Sequence, residues 1–330
     1  GLPEADAREV SLLMTRADLR GADGHGVFRL PQYARRIRAG GINLHPDIRV
    51  VRETAATALV DGDNAMGHLV MRFAARVAMD KAERQGIGWV GVRRSNHAGP
   101  AALYAAMPLE RDMIGLYLAV GNANHLPPWG GVELLLSTNP IAVAIPALDE
   151  PPVILDMATT VAAYGKVKTA AQRGETMPEG WMIDAAGRPL TDPRRAEEGF
   201  LLPIGGYKGY GLALVFGLLA GTLNGAAMGR DVVDFNKDDV TATNTGQTIA
   251  AVRIDAFEEP KEFKRRVDAL ARDLRASKRM RGVDRIRIPG DGSHATFLER
   301  SQRGIPVNDA LFGQLDRLAA SLGVDPLGAS

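Results

Sequence analysis

The sequence predicts an α/β (α+β) fold on a mixed or antiparallel sheet, and three observations carry that expectation. Segments with helical spacing of apolar residues are interleaved with short apolar runs of strand length. One such run, residues 247–254, arrives after most of the helical segments, which fits a mixed or antiparallel sheet better than a regular strand–helix–strand series. The third is a match to G-x-G-x-x-G at residues 86–91, GIGWVG, that stands in the wrong context. A dinucleotide-binding fingerprint needs a strand before it and a helix after it. Here a helical segment precedes it, residues 89–92 are themselves strand, and Gly86 reads as a helix C-cap. A Rossmann site at this position is rejected.

Residues 4–17 place Ala7, Val10, Leu13, Met14 and Ala17 on one side of a helix. Gly21, Gly24 and Gly26 break it, leaving His25 between two glycines, with Asp23 before it and Arg29 after. A histidine so placed is either exposed in a turn or presented to a cleft. A helix resumes over 30–38, where Arg35, Arg36 and Arg38 read as a solvated face. Residues 48–61 read as two short strands, and 64–85 as an amphipathic helix striped by Val70, Phe73, Ala74, Val77, Ala78 and Ala82. After the strand at 89–92, Asn96 and His97 stand at a strand end, followed by a glycine turn and another helix. Strands at 113–120 and 141–145 flank the long loop GNANHLPPWGG.

The organising stretch is 153–168, VILDMATTVAAYGKVK. Val153, Ile154 and Leu155 read as the end of a buried strand, which Asp156 stops with a carboxylate. Thr159 and Thr160 are N-cap candidates for a helix over 161–172. That order sets free backbone N–H groups beside a fixed acid, where a phosphate or carboxylate is favoured. An ordinary strand-to-helix connection with a capping acid would carry the same residues. Residues 179–199 form a loop with a short hairpin turning at DAAG. PIGGYKGYG at 203–211 then opens an apolar helix over 212–223, with Lys208 amid four glycines as an anion cradle. It lacks the Walker spacing and is no P-loop. Residues 231–245 are polar loop, 261–280 a basic helix, 285–294 a second Gly-rich loop, and 295–303 and 308–322 terminal helices.

Composition narrows the classes. With 330 residues the chain can bury sizeable cores in one to three domains. Forty basic against 39 acidic residues give +1, so overall charge offers no attraction to nucleic acid or membrane. The absence of cysteine excludes disulfides, thiolate metal sites and a cysteine nucleophile, and fits a cytoplasmic location. No signal peptide or membrane-length apolar run is read. The opening GLPEADA lacks a methionine, so the natural N-terminus is expected to lie upstream. His25, His45, His68, His97, His125 and His294 show neither H-x-x-x-H nor H-E-x-x-H spacing, so no metal site is expected. No G-x-S-x-G elbow exists either. Two histidines in glycine-flanked turns, two Gly-rich anion loops and a capped acid fit a phosphate-bearing cofactor beside an acid/base centre.

Six stretches then occur in a characteristic order: ADLRGADGHGVFRLPQY (17–33), RSNHAGPAALYA (94–105), STNPIAVAIP (137–146), DMATTVAAYGK (156–166), PEGWMIDAAGRPLTDP (178–193) and LPIGGYKGYGLAL (202–214). Together they resemble the malate/L-lactate dehydrogenase family of the non-Rossmann type, over nearly the whole chain. The resemblance implies a homodimer and an NAD(P)-binding domain on a mostly antiparallel mixed sheet, joined to a mainly helical domain formed by both chain ends. The implied divisions are 1–98, 99–276 and a return at 277–330. It implies hydride transfer between NAD or NADP and C2 of a small anionic 2-oxo or 2-hydroxy acid. A reductase of cyclic imines of the Δ1-piperideine-2-carboxylate kind and a cofactor-binding protein with impaired turnover are the alternatives.

By the same resemblance, His25 and His97 are equal acid/base candidates, with Asp156 orienting one of them. Arg29 and Tyr33 hold the substrate carboxylate, and Lys208 meets a cofactor or substrate oxygen. Asn122, Ser137, Thr138, Asp156, Met157, Ala158, Gly290, Asp291 and Gly292 contact the cofactor. Two departures stand out: Gly24 replaces the family's serine, and Asp291-Gly292 stands where the family usually carries a glutamate.

Overall fold

The computed structural model describes residues 1–326. Helices α1 (Glu4–Leu19) and α2 (Leu30–Arg38) flank the glycine-broken turn, and β1 (Arg49–Glu53) and β2 (Thr57–Ala65) follow as an antiparallel pair. Helix α3 (Gly67–Gln85) crosses back to β3 (Ile87–Ser95), which runs parallel to β2. A short α4 (Ala102–Ala105) leads to β4 (Met113–Ala119), β5 (Ile141–Ile145) and β6 (Val153–Met157). Next come α5 (Tyr164–Arg173), a small pair of β7 (Met182–Asp184) and β8 (Gly199–Leu201), and α6 (Tyr207–Ala220). Strand β9 (Gln247–Arg253) precedes α7 (Pro260–Ala276), α8 (Asp291–Arg303) and α9 (Asp309–Leu322).

The large sheet has the order β1-β2-β3-β9-β4-β5-β6. Only β2 and β3 pair in parallel; every other neighbouring pair in this sheet is antiparallel. The late strand therefore enters the middle of the sheet, and its entry makes the sheet mostly antiparallel. Gly86 caps α3 at φ 82°, donating its N–H to the Ala82 carbonyl at 2.8 Å. The sequence beyond it is strand, as its composition indicated. Val70, Ala74, Ala78 and Ala82 are fully buried, so α3 meets β3 through small side chains. At Gly88 a Cβ would fall 2.0 Å from the Ala78 carbonyl oxygen. That contact fixes how closely helix and sheet approach.

Three local expectations are corrected. Arg36 is fully buried rather than solvated: its guanidinium donates to the Thr241 carbonyl at 2.8 Å and to that of Asp238, and lies 5.1 Å from the Phe235 ring centroid. Thr159 and Thr160 do not cap α5, whose N-cap is Ala163 without a side-chain bond. Their hydroxyls donate instead to the Thr138 and Ala162 carbonyls, at 2.9 and 2.8 Å. The helix expected from 212 begins at Tyr207, so Lys208 lies in its first turn. At the chain's end, α8 lies against α1: Arg300 pairs with Asp23, and Arg20 sits 5.1 Å from the Phe297 ring centroid.

Replacing Gly88 by Ala should cost about 3 kcal/mol, because the clash is with backbone and neither element can retreat. Urea denaturation of the variant against the parent measures it; an unchanged midpoint would contradict the close approach of α3 and β3.

Candidate active site

A cleft of about 550 Å³ opens where the glycine turn after α1, the end of β3 and the tips of β4, β6 and β9 converge. That volume suits a cofactor or substrate site. His25, Arg29, His97, Asn122, Ser137, Thr138, Asp156, Met157 and Ala158 all line it, brought together from five separate stretches of sequence.

His97 sits between two rings. His25 stacks on it at 5.6 Å between centroids and 16° between planes, and Phe235 at 5.5 Å and 19°. Its Nδ1 accepts the Gly99 N–H at 3.3 Å and lies 2.6 Å from the Tyr33 hydroxyl. A backbone N–H can only donate, so Nδ1 presents a lone pair, the tyrosine hydroxyl donates to it, and the ring hydrogen belongs on Nε2. Tyr33 therefore stands behind His97, buried at 2 % exposure, and not on the cleft wall where the substrate-carboxylate role would need it. His68 meets Tyr33 edge-on at 5.7 Å, is fully buried, and has no partner for either ring nitrogen.

Burial, reinforced by the Arg29 charge, pushes His25 down to about 4. The same two causes, with the neighbouring His25 and His68, hold His97 well below the ordinary range. Burial alone takes His68 to about 4. The cleft thus holds neutral imidazoles at neutral pH. Asp156 opens to the cleft between close walls; this crowding raises its carboxyl, while the Ala102 N–H at 2.9 Å opposes the rise. That N–H is its hydrogen-bond partner, and no contact joins it to either histidine, so it does not orient one.

A stitched wall holds the rest. Arg29 donates to the Gly24 carbonyl and to Gln32 Oε1, both at 2.9 Å, and Gln32 Nε2 donates to the Phe235 carbonyl at 3.0 Å. The Phe235 N–H donates to the Asn122 carbonyl at 2.9 Å, and Asn122 Nδ2 to Thr245 Oγ1 at 2.6 Å. With Arg36 behind, these bonds fix the polar segment 231–245 as one side of the cleft. On the other side, Ser137 Oγ donates to the Ala123 carbonyl at 2.5 Å and holds the loop after β4. Gln247, at the start of β9, donates Nε2 to the Asn96 carbonyl at 3.3 Å, while its buried Oε1 has no partner.

Several expected residues lie elsewhere. Lys208 is exposed and outside the cleft lining. Gly290, Asp291 and Gly292 dock on β6 from outside: Ile154 donates its N–H to the Pro289 carbonyl at 3.0 Å, and Asp291 pairs with Arg275 at 2.7 Å. That carboxylate serves a loop-to-helix joint rather than the cleft. Sequence reasoning passed over Phe235 and Gln247, and gave no role to His125, which stacks on Tyr164 at 3.9 Å and 9° in the cleft wall. No local motif marks Phe235 or Gln247; His125, in a proline- and glycine-rich loop, had at least that signal.

The malate/L-lactate dehydrogenase family profile matches residues 1–316. The chain belongs to the malate/L-lactate dehydrogenase family. It is 40% identical to malate dehydrogenase of Pyrococcus abyssi over 99% of this chain and 91% of that one. It is 37% identical to L-sulfolactate dehydrogenase of Methanocaldococcus jannaschii over 98% and 93%. The structure of malate dehydrogenase from Pyrococcus horikoshii OT3 superposes with a TM-score of 0.90 at 35% identity, covering 99% of this chain and 91% of that one. Membership makes the chain an oxidoreductase acting on CH–OH groups.

The histidines also set a pH dependence of stability. His25, His68 and His125 sit near 4 in the folded chain, and His97 is held well below its ordinary range, against 6.5 when exposed. Between those values the unfolded chain binds protons that the folded one refuses, so stability falls as pH drops from 6.5 towards 4. Asp18, raised to about 6 by burial, acts oppositely and offsets part of this. Unfolding near pH 5 should take up protons net, the histidines outweighing the raised carboxyls. Urea midpoints at pH 7, 6 and 5 measure the slope; a flat profile would overturn the neutral-histidine cleft.

Proposed function

We propose that this protein transfers a hydride between a nicotinamide cofactor and C2 of a small 2-oxo or 2-hydroxy acid. The observation that carries the reading is the stacked His25–His97 pair beside the Arg29 guanidinium in one cleft. The cofactor fits a feature of the cleft: the buried, unpartnered Gln247 Oε1 is an acceptor suited to a carboxamide N–H. Gln247, with Asn122, Ser137 and Thr138, would hold the nicotinamide end, and Met157 and Ala158 would flank it. When bound, that group supplies or takes the hydride.

The chain's own residues do the rest. Arg29 has Nη2 without a partner among the described residues, and a guanidinium aimed into a cleft suits the substrate carboxylate. His97, held with hydrogen on Nε2, donates a hydrogen bond to the substrate oxygen. His25, whose ring nitrogens make no hydrogen bond among the described residues, offers a lone pair and takes the hydroxyl proton in oxidation. In reduction the same nitrogen returns it. Tyr33 acts through His97 by fixing its tautomer. The loss of the family serine at Gly24 leaves this intact, because the Gly24 carbonyl still holds Arg29 and a Cβ there would meet open space.

Two expectations join this proposal. Helix α6 leaves Leu212, Val215 and Leu218 exposed, with Leu223 just beyond it, and an apolar face of that kind is suited to cover by a second copy. A homodimer follows. The divisions proposed are 1–98, 99–276 and a return at 277–330; the first two share the large sheet through β3 and β9, and Arg300 of the third pairs with Asp23 of the first.

Absorbance at 340 nm with NADH and with NADPH, against pyruvate, oxaloacetate, 2,3-diketogulonate and Δ1-piperideine-2-carboxylate, tests reaction and cofactor together. His25→Ala should lose about 10²–10⁴ in turnover and His97→Ala at least tenfold. If neither loses tenfold, the acid–base assignment is wrong. Gln247→Leu should weaken NAD(P)H binding about tenfold in a fluorescence titration, with unchanged affinity counting against its role.

A further inference from the structure

Beside the reaction centre, directly behind the cleft wall made by His125, Tyr164 and Asn236, sits a cation that the chemistry above does not use. Lys168, half-buried on α5, donates from Nζ to Asn236 Oδ1 at 2.8 Å and lies 5.6 Å from the Tyr164 ring centroid. Asn236 and Tyr164 both line the cleft. Because Oδ1 of Asn236 accepts the ammonium, its Nδ2 is the end left free to donate. Among the described residues no carboxylate lies within ion-pair distance of Lys168 or of Arg29, and the partners of both are neutral oxygens. Asp234, the carboxylate whose charge reaches Lys168, already accepts the Asn236 N–H at 2.8 Å. Burial and the Arg29 charge push the Lys168 ammonium below its ordinary range, so the two cations repel each other.

Two half-buried cations without counter-ions disfavour the empty cleft and favour a ligand with two negative groups. We propose that Lys168, with Asn236, forms a subsite for a second anionic group on the substrate, a terminal carboxylate or sulfonate, while Arg29 holds the carboxylate next to the reacting carbon. This rests on the 2-oxo/2-hydroxy acid reading and makes Lys168 a determinant of specificity for dianions over monoanions. A purely structural Lys168, fastening the 231–245 segment through Asn236, would serve every substrate alike.

Calorimetric titration with malate and with lactate, at saturating NADH and NADPH in turn, separates the two roles in the parent, Lys168→Met and Lys168→Arg. The parent should bind malate more tightly than lactate. Lys168→Met should lose about 30-fold in malate affinity and less than threefold for lactate, and Lys168→Arg should recover most of the loss. The same ratio should appear in kcat/KM for oxaloacetate against pyruvate. Equal losses on both ligands, or no malate preference in the parent, overturn the subsite. Preserved malate preference in Lys168→Met does so too. Failure of the reaction reading shows separately, as selective malate binding without hydride transfer to or from any acid tested.

Discussion

The two donors that converge on Nδ1 of His97 are the constraint on which the rest of the site depends. Gly99 supplies one from the backbone and Tyr33 the other from its hydroxyl, and neither can be reconciled with hydrogen on that nitrogen while both bonds persist. The ring is thereby held in one tautomer and in one plane, and that plane is what allows His25 and Phe235 to stack with it. An imidazolium in the same place would face two donors, the Arg29 charge and little water. Neutrality is built into the packing before any substrate arrives.

The fold supplies this constraint from distant parts of the chain. His97 leaves the end of β3. Tyr33 comes from α2 and is set by the core around Met14, Ile42 and Met66. Phe235 belongs to a polar segment with no regular strand or helix around it, and Arg36 beneath and Gln32 beside it, with Asn122 and Lys168, hold that segment in place. A buried guanidinium that donates to backbone carbonyls is costly to desolvate, but it fixes a loop more firmly than an apolar contact because the carbonyls it satisfies have no other donor. The burial of Arg36 and the flat Phe235 face offered to His97 are two consequences of one arrangement.

What the sequence discloses follows the range of the interactions involved. The rejection of GIGWVG as a cofactor loop rested on a helix end and a strand start, both local, and Gly86 and β3 bear it out. The late strand at 247–254 was legible from its apolar run, and its chain position already argued against a regular parallel series. His25 and His97 were visible because glycine turns and strand ends have local signatures. Arg36 was not: three arginines on a short helix read as a wet face, and only tertiary packing from residues some two hundred positions away buries the middle one. Thr159 and Thr160 failed as caps for a similar reason, since the carbonyl of Thr138, in the loop before β5, was a competing partner for the first. Gln247 is the clearest limit. Its meaning lies in a partner that its oxygen lacks.

Charge completes the picture of how the cleft discriminates. Asp156 is held on the α4 side by the Ala102 N–H, while Arg29 in the cleft lining and Lys168 behind Asn236 have only neutral partners among the described residues. On the proposed function, an anion that enters would lie away from that carboxylate, with its reacting carbon beside the imidazoles. Because those imidazoles are neutral, they add no competing positive charge, and the positive field in the cleft comes from Arg29, Lys166 and the nearby Lys168. Had His25 or His97 been paired with a carboxylate and charged, the cleft would attract anions without ranking their ends. On the proposed function, the low affinity of these histidines for protons would serve orientation as much as proton transfer, leaving the cations to rank the ends of an acid.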